Sequence, residues 1–102
     1  MANAVWFITY KLKNGASVPD FLLASEKLNN EHISKKKGYV SWKQLVDGDT
    51  WADLMTWETI EDAKYFEKGD TTPLAKEFYS FIDFKSLKTQ FFTVEKSYQL
   101  AG

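Results

Sequence analysis

Residues 39–46 and 50–57 are two alternating runs separated by Asp47-Gly48-Asp49. Strand, Asp-Gly, strand is among the strongest hairpin signals a sequence can carry. A tight hairpin turn needs positive φ, which Gly supplies without steric cost. Two adjacent antiparallel strands are therefore expected here. In the first, Tyr39, Ser41, Lys43 and Leu45 alternate with Val40, Trp42, Gln44 and Val46. In the second, Trp51, Asp53, Met55 and Trp57 alternate with Ala52, Leu54 and Thr56. Successive side chains point to opposite faces of a sheet.

The flanking segments complete an order of elements. Residues 4–13 are rich in β-branched and aromatic side chains and read as a strand with bulk on both faces, stopped by Asn14-Gly15. Ser17 can cap a helix, with Asp20 at the capping-box position and Pro19 tolerated in the first turn. That helix is expected to run to about Lys36, with Gly38 as terminator. Its inward stripe reads Val18, Phe21, Leu22, Ser25, Leu28, Asn29 and His32. Thr59 and Asp62 repeat the capping pattern before a helix over residues 60–68, closed by Gly69. Residues 70–73 read as a break and a restart, with Pro73 at a first helical position. Leu74, Phe78, Phe81 and Ile82 fall on one face of the second piece, and the last strand is expected over residues 88–98. The result is an α+β chain of βαββαβ order. It predicts one ferredoxin-like domain over residues 1–102, with a four-stranded antiparallel sheet and both helices on one face.

Four Trp, five Tyr and eight Phe in 102 residues are a large ring content for one small core. Helices cover one sheet face, yet the strands carry bulk on both. A second copy covering the other face, related by a two-fold axis, is the economical expectation. Net charge is −1, which argues against nucleic acid as a partner. The basic run Lys35-Lys36-Lys37 suits the negative end of a helix. Cysteine is absent, so thiolate and disulfide chemistry are excluded. No apolar run approaches the roughly 20 residues of a membrane span, and no leader pattern is visible, so no membrane role and a cytoplasmic location are expected.

Four stretches carry a resemblance: Lys13-Asn14-Gly15 closing the first strand, Gly38-Tyr39-Val40-Ser41-Trp42 entering the second, and Leu54-Met55-Thr56-Trp57-Glu58 leading into Thr59-Ile60-Glu61-Asp62-Ala63. The chain resembles the dimeric α+β barrel superfamily, in particular its antibiotic-biosynthesis-monooxygenase-like domains. The resemblance implies a homodimer and a cavity between sheet and helices. Members include cofactor-independent oxygenases and haem-degrading enzymes. Many carry a His-Phe pair after the second-helix break, where this chain reads Thr71-Thr72-Pro73-Leu74.

Few residues stand out for chemistry. His32 is the sole histidine, on the inward stripe with Ser25 and Asn29. Ser25 and His32 are roughly 10 Å apart at 1.5 Å per residue, too far for direct contact but able to line one cavity. His32 is also a plain helix-end histidine or an axial haem ligand by residue type. Asp53 interrupts a ring-rich strand face. Unpaired there it would have a raised pKa, as a general base wants; paired, Lys43 on the neighbouring strand is the candidate partner. Tyr10, Trp42 and Trp57 are candidate ligand-binding rings within a set that includes Trp6, Trp51 and Tyr98. No metal site and no cofactor motif is expected. The expected function is a homodimeric binder of an apolar or aromatic small molecule. The alternatives are a cofactor-independent monooxygenase-like enzyme and a haem protein using His32.

Overall fold

A computed structural model describes residues 3–67 and 71–100. Strand β1 is Ala4–Leu12, helix α1 Val18–Glu31, β2 Tyr39–Asp47, β3 Thr50–Trp57, α2 Ile60–Glu67, α3 Pro73–Tyr79 and β4 Ile82–Thr93, with a 3₁₀ turn over Ile33–Lys35. The strands form one antiparallel sheet in the order β2-β3-β1-β4. This is the expected ferredoxin-like α+β arrangement. The proposed closure of the second helix by Gly69 lies outside the described residues; α2 and α3 are separate helices on either side of that segment.

Ser17 and Thr59 start their helices as expected, and Thr72, just before Pro73, caps the third. Ser17 Oγ accepts from Asp20 N–H, Thr59 Oγ1 from Asp62 N–H and Thr72 Oγ1 from Ala75 N–H. Each bond satisfies an amide that the first helical turn leaves without a partner.

The sheet buries one face. Trp6, Ile8 and Tyr10 of β1 and Trp51, Met55 and Trp57 of β3 are buried there with Phe21, Leu28 and Phe78. Phe21 sits at the centre, with ring centroids 5.2 Å from Trp51, 5.3 Å from Phe78 and 6.2 Å from Tyr10. Burying each such ring stabilises the fold by roughly 1.5–3 kcal/mol. The opposite face carries half-buried Val5, Phe7 and Leu54 and exposed Leu45 and Phe92.

The structure corrects several boundaries. Helix α1 stops at Glu31, five residues early, because His32 leaves helical backbone with φ −138°. The 3₁₀ turn that follows drops Ile33 into the core. The inward stripe rotates accordingly: Phe21, Ala24, Ser25 and Leu28 are buried, whereas Val18 and Leu22 are exposed. In β2 the register shifts between Tyr39 and Ser41, so Tyr39 joins Trp42, Gln44 and Val46 on the helix-facing side. One extra residue in a strand reverses side-chain parity beyond it. Helix α3 ends at Tyr79, and Ile82 opens β4 instead of closing the helix. Strand β4 ends at Thr93, which leaves Tyr98 exposed beyond the sheet.

Candidate functional site

A cavity of about 240 Å³ lies between the sheet and the helices. An engineered apolar cavity of roughly 150 Å³ suffices for benzene, so this one has room for a small aromatic molecule. Rings and aliphatic side chains supply most of its wall, among them Trp6, Trp42, Met55 and Phe78. Trp42 and Phe78 meet edge to face at 5.5 Å, which fixes both rings. Asp53 and Tyr10 supply the polar part of the buried wall.

Asp53 is 3 % exposed. Its Oδ1 accepts a 2.8 Å hydrogen bond from Tyr10 Oη. Burial pushes the Asp53 carboxyl up to about 7, while the Tyr10 hydroxyl and, more weakly, the nearby Trp42 N–H favour the charged form. The Trp42 N–H falls short of full hydrogen-bond geometry. Burial and the neighbouring Asp53 push the Tyr10 phenol far above its usual range, so Tyr10 keeps its proton. The site thus holds a carboxyl that changes protonation near neutrality beside a hydroxyl that does not.

Lys43 is not the partner of Asp53. The hairpin places Gln44 opposite Asp53 and Lys43 opposite Leu54, so Lys43 points to the other face. Gln44 is the residue that sequence reasoning missed. Its Nε2 donates to Ser25 Oγ at 2.9 Å, and its amide lies near the Tyr10 hydroxyl without forming a full hydrogen bond to it. Counting back from the turn finds it once the Asp47–Thr50 pair is known, because three further steps reach Gln44 and Asp53.

The other expected site residues separate. Ser25 is buried, donates to Phe21 O at 2.8 Å, and reaches the site through Gln44. Asn29 accepts from Tyr39 Oη at 2.6 Å through Oδ1. Tyr39 itself is raised above the usual phenol range by burial. Trp57 is fully buried on the helix side, 5.1 Å from Phe66 and 6.0 Å from Tyr39. His32 does not line the cavity with Asp53. It lines a second hollow of about 640 Å³, together with Trp57, Lys36, Lys37, Glu61 and Asp62. Ser25 and His32 therefore do not share one site. Among the described residues no group of three or more His, Asp or Glu is placed to hold a metal ion. None of the described helices is long and apolar enough to cross a membrane.

No family model matches the chain, and no curated protein matches it. Solved structures do. SnoaB, a cofactor-independent oxygenase from Streptomyces nogalater, superposes with a TM-score of 0.73 at 9 % identity, over 95 % of this chain and 97 % of SnoaB. A proposed antibiotic biosynthesis monooxygenase from Bacillus cereus gives 0.64 at 19 % identity, over 98 % and 100 % of the two chains. A dimeric protein of unknown function and ferredoxin-like fold from Bacteroides fragilis gives 0.58 at 16 % identity, over 88 % and 94 %. The chain thus has the ferredoxin-like fold that these structures share. At these identities the likeness is one of fold.

Proposed function

We propose that this protein binds a small aromatic molecule in the cavity between sheet and helices, with Asp53 as its polar contact. The observation that carries the reading is a lone buried carboxyl on an otherwise largely apolar, ring-lined wall. Apolar walls supply affinity and a few placed polar groups supply orientation. Calorimetric titration with 1-naphthol tests it. The wild-type protein should bind, and Ala75→Leu, which fills the cavity from a buried wall position, should lose at least tenfold in affinity. Equal binding by both would place the ligand elsewhere.

The same reading has two copies meeting through the open sheet face. Val5, Phe7, Leu54 and Phe92 make that face apolar, and the Bacteroides fragilis protein of the same fold is described as dimeric.

A second reading is cofactor-independent oxygenation. Asp53 favours it, because a carboxyl that titrates near 7 is suited to accept a ring-hydroxyl proton. The similar fold of SnoaB supports it as analogy. Oxygen uptake with a quinol-like substrate and no added cofactor, lost in Asp53→Asn, would separate catalysis from binding alone.

A further inference from the structure

The hydrogen bonds around Asp53 have a direction. Ser25 Oγ gives its one proton to the Phe21 carbonyl, so towards Gln44 it can only accept. The Gln44 amide must therefore present its NH₂ group, and its oxygen points away from Ser25. That NH₂ group also lies near Tyr10, whose hydroxyl gives its own proton to Asp53 Oδ1. Oδ1 is then a fixed acceptor. Any proton that Asp53 takes up must go to Oδ2.

Resting on the cavity-binding reading, we infer that Asp53 Oδ2 is a donor–acceptor switch. With its proton it takes ligands that carry a carbonyl, without it ligands that carry a hydroxyl, and the Tyr10 bond to Oδ1 sets this polarity. The carboxyl changes state near neutral pH. The groups around it leave the switch to Asp53. From β1 comes Tyr10, which stays protonated. Strand β2 contributes uncharged Trp42 and Gln44, and α1 uncharged Ser25 and Leu28. Tyr79 of α3 and Glu67 at the end of α2 also line the cavity, with Glu67 exposed to solvent. Lys43 faces the other side of the sheet, and His32 lines the other hollow.

The test uses three bicyclic probes: 1-tetralone as acceptor, 1-naphthol as donor and naphthalene as neither. Affinities are measured by calorimetry at pH 5.5 and pH 8.0. An apparent affinity scales with the fraction of protein in the competent state, so 1-tetralone should weaken about tenfold as pH rises. The 1-naphthol affinity should rise at least fivefold, and that of naphthalene should stay within twofold. Asp53→Asn keeps an acceptor for Tyr10 and puts an amide N–H where Oδ2 was. It should hold 1-tetralone at both pH values with no pH trend. If the probes bind but 1-tetralone and 1-naphthol respond to pH alike, the switch is overturned and the binding site stands. If none of the three binds, both fall.

Discussion

Tyr10 and Asp53 are not ladder partners, yet their side chains meet at 2.8 Å across the β1–β3 pair. Tyr10 pairs with Trp51 and Asp53 with Ile8, so the contact is a diagonal one, two residues out of register. Long side chains bridge such diagonals on one face of an antiparallel pair. Tyr10→Phe would remove a donor that favours the charged carboxyl. Asp53 should then titrate above its present value of about 7, as read by carboxyl ¹³C NMR. Losing this buried bond should also lower stability by about 1–3 kcal/mol in urea unfolding. An Asp53 midpoint that stays put or falls would contradict the role assigned to Tyr10.

Stability should depend on pH through the same carboxyl. Its folded-state value of about 7 lies above the ordinary 3.8. A raised acid holds its proton more tightly when folded, so its contribution is complete below the unfolded value and is lost as pH rises through 7. Between pH 5.5 and 8.5 the loss should be about 2 kcal/mol. The difference between wild type and Asp53→Asn, followed by chemical denaturation, isolates it: the variant should show a flatter profile over that window. Parallel profiles would show that Asp53 titrates as it does in the unfolded chain.

Gly38 should resist substitution far more than Gly15. Both have positive φ, +81° and +79°. A Cβ at Gly38 would collide with the Asp62 carboxyl, whereas one at Gly15 meets nothing within 4 Å. Gly15→Ala should cost about 1 kcal/mol from backbone strain, and Gly38→Ala at least about 1 kcal/mol more. Thermal unfolding of the two variants compares them directly. Equal costs would mean that Asp62 moves aside freely.

His32→Ala should leave 1-naphthol binding within twofold of wild type, because His32 lines a different hollow from Asp53. A tenfold loss would show that the ligand sits against the C-terminal end of α1 instead.

Phe7→Lys should convert the proposed dimer to monomer. Phe7 pairs with Leu54 on one side and Gln90 on the other, at the middle of the open face. A lysine buried there on assembly would be desolvated without a counter-charge on the apolar face. Sedimentation at micromolar concentration reads the change. A variant that still sediments as a dimer would move the interface off the sheet face.

Much of this architecture is visible residue by residue. Asp47-Gly48-Asp49 marks the hairpin, whereas the Asp47–Thr50 pair that sets Gln44 opposite Asp53 is seen only in the structure. Ser17 and Thr59 mark helix starts because capping is a contact between near neighbours in sequence. The end of α1 was hidden: a helical stripe continues through His32, and the break there serves to bury Ile33. The extra residue at Val40 leaves no local signature, so the parity of Tyr39 could not be read. Phe81 and Ile82 continue the helical spacing of Leu74 and Phe78 by coincidence of period, which disguised the start of β4.

Local pattern alone determined the order of strands and helices, the position of the hairpin and the caps at Ser17 and Thr59, because each depends on residues a few positions apart. Tertiary structure decided the site. Asp53 becomes a neutral-range acid because helices from two other parts of the chain close over it and bury it, while Tyr10, 43 positions away, donates to it and holds the rise back. Desolvation is a property of the surroundings in space, and no spacing along the sequence encodes it.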